Sequence, residues 1–186
     1  EFPKIASNRK LPIIQEMFVS ILQNSDADYI IFTNSDIGVQ KNFYIKVNKF
    51  IHKDNLKSFI INRRDNIPKF KNKKRLTEKN LDIIYKERGQ IHPGSDCFIM
   101  DRKILEKINM KLMFTCYPPW GYTLQDYLKR IDKNTYKYKN KYLTFHLGCD
   151  RSWSKDKNAL WLKNINISKN INISKNINIS KNINIS

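Results

Sequence analysis

The sequence is poor in three features that mark particular classes of protein: paired cysteines, long apolar runs and acidic residues. Its three cysteines are odd in number and form no Cys-x-x-Cys pair, which argues against a disulfide framework and a cysteine zinc site. No apolar run approaches the roughly 18 residues that a membrane-spanning helix needs. These absences favour a globular domain in a reducing compartment, and we expect a cytoplasmic location.

The deficit of acidic residues gives the chain a strongly basic balance. It has 17 Asp and Glu against 35 Lys and Arg, a formal net charge of +18. Such a balance suggests polyanionic partners, including nucleic acid, an anionic membrane or a phosphorylated substrate. However, Lys, Asn and Ile are abundant throughout, as in the drift of an A/T-rich coding sequence, and no helix-turn-helix, RRM or zinc-finger signature is present. Nucleic acid is therefore not the expected partner, and a basic nucleic-acid-binding domain is kept as an alternative.

The chain ends in a low-complexity repeat. Residues 163–186 are four copies of KNINIS, which predicts a disordered tail with a tendency to β-aggregation. The preceding residues 1–162 have ordinary complexity and suffice for one domain with a real core.

The stretch ADYIIFTNSDIGV, residues 27–39, organises the prediction. Its apolar run at residues 29–32 predicts a strand buried on both faces of a parallel sheet. The strand ends in Asn34, Ser35 and Asp36, at the position where ligands bind in open α/β sheets. Asp36 is therefore a candidate ligand for Mg²⁺ or Mn²⁺. The alternative is that Asp36 caps a helix or closes an Asx-turn.

Helical and strand patterns alternate along the rest of the domain. Helices are predicted over residues 11–24 and 41–52, from Thr77 to near Gly89, over Arg102 to Ile108 with Asp101 as cap, and within residues 117–131; strands are predicted over Leu56 to Ile61, Cys97 to Met100 and Tyr142 to Phe145. This alternation predicts an α/β fold with a largely parallel sheet. The basic segment 62–75 predicts a loop that is either solvated or faces phosphate groups.

Polar residues stand beside the predicted strands in a definite order. Asp36 follows the central strand, a turn over residues 92–96 precedes a later strand, Asp126 opens a late helix, and His146 follows the last strand. We expect these positions to converge on one sheet edge. Taken singly, Asp126 has the alternative of stabilising a helix N-terminus, and His146 that of a hydrogen-bonded structural residue.

This order resembles the nucleotide-sugar glycosyltransferases of the GT-A fold, in particular those like family 2. The DXD motif that closes the family's central strand appears here as Asn34-Ser35-Asp36, with Asn in place of the first acid. HPGSDCFIMDR, residues 92–102, looks like the acceptor-side turn and strand. PWGYTLQDYL, residues 119–128, looks like the region of the catalytic acid, and FHLGCDRSW, residues 145–153, like the segment whose His completes the metal site.

The resemblance implies a three-layer, Rossmann-like, mostly parallel sheet flanked by helices. It implies transfer of a sugar from a nucleotide-diphosphate donor to a hydroxyl of a glycan, lipid or protein acceptor. It also implies Mn²⁺ or Mg²⁺ held by Asp36 and His146, with Asp126 as general base in the inverting case. The further implied contacts are donor binding by Asn34, Ser35, Asp36, Arg9 and Lys10, and substrate binding by His92, Gly94, Asp96 and Trp120.

One departure from the family concerns its first strand, helix and strand, which bind the nucleotide. This chain begins at Glu1 and contains no full set of these elements. We therefore expect either a missing N-terminal part or a loss of donor binding. The latter makes a catalytically silent GT-A remnant that binds a partner the second interpretation.

Overall fold

A computed structural model describes residues 11–65, 78–115, 117–139, 141–146 and 161–171. The chain divides into two compact units, each assembled from separate stretches of sequence. Unit 1 comprises Glu1–Asp26, Asn109–Leu124 and Arg151–Ser186, and unit 2 comprises Ala27–Ile108 and Gln125–Asp150.

Unit 2 contains eight described strands and the helices that cover them. In chain order the elements of the whole protein are α1 (Ile14–Asn24), β1 (Tyr29–Thr33), β2 (Ile37–Val39), α2 (Phe43–Lys53), β3 (Ser58–Ile61), β4 (Arg64–Asp65), α3 (Glu78–Lys86), β5 (Gln90–Ile91), β6 (Cys97–Asp101), α4 (Arg102–Leu105), α5 (Trp120–Ile131), β7 (Tyr136–Tyr138), β8 (Thr144–His146) and α6 (residues 161–171). Helices α1 and α6 belong to unit 1, and α5 begins in unit 1 and ends in unit 2. In the described ranges, no helix combines the length and apolarity needed to cross a membrane.

The first sheet of unit 2 has the strand order β1-β6-β3-β7. Strands β1 and β3 are both antiparallel to β6, and β7 is parallel to β3, so β1, β3 and β7 run in the same direction. Thr33 and Ile61 both pair with Cys97, and Ile61 also pairs with Tyr138. The carboxyl ends of β1, β3 and β7 therefore share one edge with the amino end of β6, and we call it the carboxyl edge.

The α/β class is confirmed, but the expected largely parallel sheet is wrong. Among the described residues of unit 2, four of the six strand pairs are antiparallel. The reason is the position of β6. The chain does cross from β1 through α2 to β3 in the same direction, as a βαβ pattern predicts. This crossover leaves space for one strand between β1 and β3, and β6 occupies that space and runs in the opposite direction.

The second sheet has the strand order β2-β8-β4-β5. None of its strands exceeds three residues, which is too short to show periodicity, and three of them were not predicted. The fourth, β8, lies at Thr144–His146 where a strand over Tyr142 to Phe145 was expected.

The core of unit 2 lies against β3 and β6. All four positions of β3 and four of the five in β6 are buried, so both faces of the sheet are covered there. Helix α2 buries Phe43 and Val47 against this sheet. Burial raises the pKa of the Cys97 thiol to about 12, so this cysteine acts as a small core residue. Asp101 caps α4 as predicted, since its Oδ1 accepts from the Lys103 N–H at 2.6 Å.

In unit 1, helix α6 covers the first copy of the repeat and part of the second. The buried Asn164 amide donates to the carbonyl oxygens of Phe114 and Tyr117, at 2.9 and 2.7 Å, and accepts from the Phe114 N–H at 2.9 Å. Trp161 packs against the apolar cluster that includes Phe114 and Tyr117. The described part of the tail therefore differs from the expected disordered repeat, because these buried contacts hold it. Residues 172–186 lie outside the described residues.

Candidate functional site

The pairing of β2 with β8 brings the two predicted metal ligands together. Ile37 pairs with His146, so Asp36, one residue earlier, lies beside the end of β8. His146 Nε2 and Asp36 Oδ2 are 2.8 Å apart. The hydrogen bond to His146 lowers the pKa of Asp36 and outweighs the opposing effect of partial burial. Asp36 is therefore held as a carboxylate at an exposed position.

The pairing of β4 with β8 places a second carboxylate beside the same imidazole. Arg64 pairs with Phe145 in a parallel arrangement, so the next residues of the two strands, Asp65 and His146, also lie beside each other. Asp65 Oδ1 lies 3.5 Å from His146 Nδ1. His146 thus stands between Asp36 on its Nε2 side and Asp65 on its Nδ1 side.

Arg63 links Asp65 to a third carboxylate. Its Nε lies 2.7 Å from Asp65 Oδ1, and its Nη1 lies 2.8 Å from Asp96 Oδ1. The side chains of Arg63, Asp65 and Asp96 are 16, 18 and 11% exposed. Charges that are so little exposed are screened less by water and salt than surface pairs. The ion pairs of Arg63 with Asp65 and Asp96 are therefore stronger than exposed pairs would be.

Asp96 is a buried carboxyl group, and only one of its two oxygens has described polar contacts. Its Oδ1 is paired with Arg63 and lies 3.4 Å from the Asn34 amide nitrogen, and its backbone carbonyl accepts from the Thr33 hydroxyl at 2.8 Å. Its Oδ2 has no hydrogen-bond partner within the described part of the chain. Burial raises the pKa of Asp96, although Arg63 opposes this shift. Asp96 can therefore hold a proton more readily than an ordinary carboxyl group, and Oδ2 can bond to a ligand.

The turn before β6 has a conformation that needs His92 and Gly94. The Gly94 N–H donates to His92 Nδ1 at 2.9 Å, and a Cβ on Gly94 would lie 2.6 Å from that atom. His92 Nε2 lies 3.7 Å from Asp65 Oδ2. Burial and the nearby Arg63 both lower the pKa of His92, so the ring favours its neutral form. His92 and Gly94 were predicted to bind substrate, and in the structure they shape the turn that presents Asp96.

Helix α5 and strand β7 hold the same turn from two other directions. The Ser95 hydroxyl donates to Gln125 Oε1 at 2.7 Å, and Lys137 Nζ donates to the Pro93 carbonyl at 2.8 Å and to Ser95 Oγ at 2.9 Å. Asp126, the predicted general base, is the next residue after Gln125 and is half-buried. The backbone therefore brings the start of the unit 2 part of α5 to the carboxyl edge.

The other predicted site residues fall into three groups. Ser35 is exposed and lies between Asn34 and Asp36 at the carboxyl edge. Trp120 belongs to unit 1, whereas the cluster belongs to unit 2. Arg9 and Lys10 lie outside the described residues.

Sequence reasoning missed Arg63 and Asp65, which were counted only as members of a basic loop. The signal that could have found them is the one that identified Asp36. Arg63 lies two residues after the end of the buried strand β3, whose carboxyl end lies at the same edge, and Asp65 ends the short strand β4 that follows.

The donor types in the cluster suit Mn²⁺ or Mg²⁺, although the side chains are not arranged around a common centre. Across the described ranges, no three His, Cys, Asp or Glu side chains form a group that could hold a metal ion. Asp36 and His146 instead bond to each other, and the Asp96 Oδ2 remains without a partner among the described residues. A carboxylate and an imidazole are suitable ligands for such an ion once their mutual hydrogen bond opens.

Comparison of the chain with protein-family models, with curated proteins and with solved structures found no match. Its function is therefore inferred from the geometry of unit 2.

Proposed function

We propose that unit 2 carries the site of a metal-assisted glycosyltransferase of the GT-A type. This enzyme would move a sugar from a nucleotide-diphosphate donor to an acceptor hydroxyl. The observation that supports it is the gathering of Asp36, Asp96 and His146 at the carboxyl edge, from three separate segments. We propose further that β1, β3 and β7, with the crossover helix α2, are the middle layer and one cover of a three-layer GT-A-like fold.

The charge of the cluster favours a cation rather than a bare phosphate. Arg63 pairs with two of the three carboxyl groups, Asp65 and Asp96, whereas Asp36 pairs with the imidazole of His146. Carboxyl groups therefore outnumber guanidinium groups in this cluster. In a chain of formal charge +18, this is a local negative site. Asp36 and His146 would hold Mn²⁺ or Mg²⁺ there. When bound, the ion would act as a Lewis acid toward the departing diphosphate.

The acceptor side of the reaction is assigned to α5 and to the turn over residues 92–96. Asp126 takes the proton from the acceptor hydroxyl as general base. The acceptor oxygen then bonds to the anomeric carbon while the bond from that carbon to the diphosphate oxygen breaks, and its electron pair leaves with the diphosphate. Attack from the opposite face inverts the anomeric carbon. Asp96 Oδ2 binds a sugar hydroxyl at the same edge.

Turnover is tested by measuring the UDP or GDP released from a panel of nucleotide sugars by the full chain with Mn²⁺. Asp36→Ala is expected to lower the rate at least 10- to 100-fold, as loss of a metal-site partner does. Asp126→Asn is expected to lower it by about 10²- to 10⁴-fold, because a general base is lost. Asp82→Asn is the matched control, since Asp82 is an exposed carboxylate paired only with the exposed Lys41 among described contacts. Equal rates for the wild-type and Asp36→Ala proteins would refute the assignment.

A second candidate is a catalytically silent GT-A remnant that binds a partner. It is favoured by the way the charges of the site satisfy one another, since Asp36 bonds to His146 and Arg63 joins Asp65 to Asp96. Binding of Mn²⁺ and nucleotide without any release of UDP or GDP would identify this alternative.

A further inference from the structure

We propose that the outer face of α2 is a docking surface for an anionic lipid bilayer. This α2 face combines two exposed apolar side chains, Tyr44 and Ile45, with the exposed lysines Lys46, Lys49 and Lys53. It lies wholly within unit 2, and the proposal does not depend on the transfer reaction.

Helix α2 uses only one side for the core of unit 2. Phe43 and Val47, four residues apart, are buried against the first sheet. Ile45 lies on the opposite side, where Lys49 follows it one helical turn later. Ile45 and Tyr44 are 73 and 68% exposed, the two highest values among the large hydrophobic side chains of the described residues. Burial in the core of this unit therefore does not account for them.

The two apolar side chains suit the boundary between lipid head groups and acyl chains. Tyr44 is held in place, because its ring meets the edge of the buried Phe43 ring with centroids 5.3 Å apart. Little conformational freedom is lost when a side chain held in this way enters a partner. Tyrosine is enriched at membrane interfaces, where its ring is buried and its hydroxyl group stays in water. Ile45 has no polar group and gains free energy by leaving water.

The α2 face is also strongly basic. Residues 37–53 include four lysines and no Asp or Glu. Within the described ranges, no ion pair involves Lys46, Lys49 or Lys53. Binding of a helix at a membrane surface increases with its buried apolar area and with its attraction to anionic lipids, and this face offers both contributions.

The acidic residues at the two ends of the helix are engaged with other groups. Asp82 of α3 pairs with Lys41 at 2.7 Å, which is why Lys41 is not counted in the α2 face. Asp54, the C-cap of α2, accepts a hydrogen bond from the Tyr138 hydroxyl at 2.6 Å. The described carboxyl groups therefore lie at the ends of the helix, and its outer face keeps its positive charge.

The combination of side chains favours a bilayer over the two other partners that the face could take. Nucleic acid would use the lysines and stack a base on Tyr44, but it gives the aliphatic Ile45 no comparable contact. A second copy of the chain would place like charges opposite each other. An anionic bilayer alone matches both the lysines and the isoleucine.

The test is co-sedimentation of the full chain with vesicles of phosphatidylcholine alone and of equal parts phosphatidylcholine and phosphatidylserine. Wild-type protein is expected to bind the anionic vesicles and to bind them more weakly at high salt. Lys46→Gln/Lys49→Gln/Lys53→Gln is expected to weaken this binding by about 100-fold, because each lysine near an anionic surface contributes about 5-fold.

The matched control is Lys103→Gln/Lys107→Gln/Lys133→Gln, which removes three exposed lysines from other parts of unit 2. The net charge of the two triple variants is the same, so the control should keep most of the affinity. Equal losses in both variants would show that net charge alone attracts the vesicles and would overturn the proposal.

The apolar contribution is tested by Tyr44→Ser/Ile45→Ser, which leaves every lysine in place. Binding to the anionic vesicles is expected to weaken by about 10-fold or more. Should the double variant fail to fold, Ile45→Ser alone changes the more exposed residue, and a smaller loss is expected. Wild-type affinity in the folded variant would overturn the proposal.

The other partners are distinguished with the same proteins. A wild-type chain that binds a uridine homopolymer RNA but neither kind of vesicle would assign the α2 face to nucleic acid, provided that the Lys46, Lys49 and Lys53 variant loses the RNA. A dimer without lipid that Tyr44→Ser/Ile45→Ser abolishes would assign the face to a second copy. Either result, or a wild-type chain that binds no vesicle, would overturn the proposal.

Discussion

At the scale of single residues, the carboxyl edge gives two carboxyl groups different properties. The hydrogen bond to His146 lowers the pKa of Asp36, whereas burial raises the pKa of Asp96. Neighbouring carboxyl groups whose pKa values are driven apart commonly have different chemical roles. Asp36 is suited to remain charged and bind a cation, and Asp96 is suited to bond with a hydroxyl group.

His92 gives stability a pH dependence that can be measured. Burial holds its pKa below the ordinary value of 6.5, so the unfolded chain binds this proton more readily than the folded protein. The contribution of neutral His92 to the free energy of unfolding is complete above pH 6.5, and it decreases as the pH falls toward the lower pKa of His92 in the folded state. We expect His92→Gln to flatten this part of the curve of unfolding free energy against pH.

The matched control for His92 is His52→Gln, because His52 is exposed on α2. Urea unfolding at a series of pH values gives the comparison. An unchanged slope in His92→Gln, or an equal change in the His52→Gln protein, would contradict the account of His92.

At the scale of elements, the site depends on the short strands of the second sheet. Gly38 in β2 pairs with Phe145 in β8, and the Phe145 ring fills the space that a Cβ on Gly38 would need. This close approach places β2 and β8 in the register that joins Asp36 to His146.

Gly38→Ala is expected to destabilise the protein by about 1–3 kcal/mol, because the buried Phe145 ring must move. Urea unfolding measures the loss, and Mn²⁺ affinity should fall with it, since Asp36 lies two residues away. Adding Phe145→Leu should make the double variant less destabilised than the two single effects added together. Strict additivity of the two destabilisations would show that the Phe145 ring and the Cβ added at Gly38 do not compete for space.

The repeat tail provides a second prediction about an element. Asn164→Ala removes three hydrogen bonds from buried backbone groups of Phe114 and Tyr117. A buried donor or acceptor left without a partner costs about 1–3 kcal/mol. We expect a clear decrease in the unfolding free energy of the full chain. Asn166→Ala is the control from the same repeat copy, because Asn166 is exposed and should change stability by less than about 0.5 kcal/mol. Equal effects would refute a structural role for α6.

The sequence allowed prediction of the longer elements but not of their arrangement. Strands β1, β3 and β6 are apolar runs of four or five residues, and their positions were predicted from local pattern. That β6 lies between β1 and β3 depends on long-range pairing, which no local pattern encodes. Asp36 and His146 were proposed as site residues because each follows a predicted strand, whereas Asp65 was counted among the basic residues around it.

At the scale of the whole molecule, a strongly basic chain contains a cluster rich in carboxyl groups. The formal charge is +18, while in unit 2 the carboxyl groups of Asp36, Asp65 and Asp96 cluster with Arg63 and His146. Under the proposed function, the divalent cation would bind at this cluster and the anionic nucleotide would be attracted by the basic residues of the chain. The proposed function therefore requires that the metal and the nucleotide bind together.

The most direct measurement is the thermal unfolding of the full chain titrated with Mn²⁺, with UDP or GDP, and with both, alongside Asp36→Ala. A ligand at 100 times its dissociation constant stabilises the folded state by about 2.7 kcal/mol. The account predicts a shift of that size only when metal and nucleotide are both present, and its loss in Asp36→Ala. An unchanged transition with every combination, or an equal shift in the variant, would contradict the existence of a donor site at Asp36.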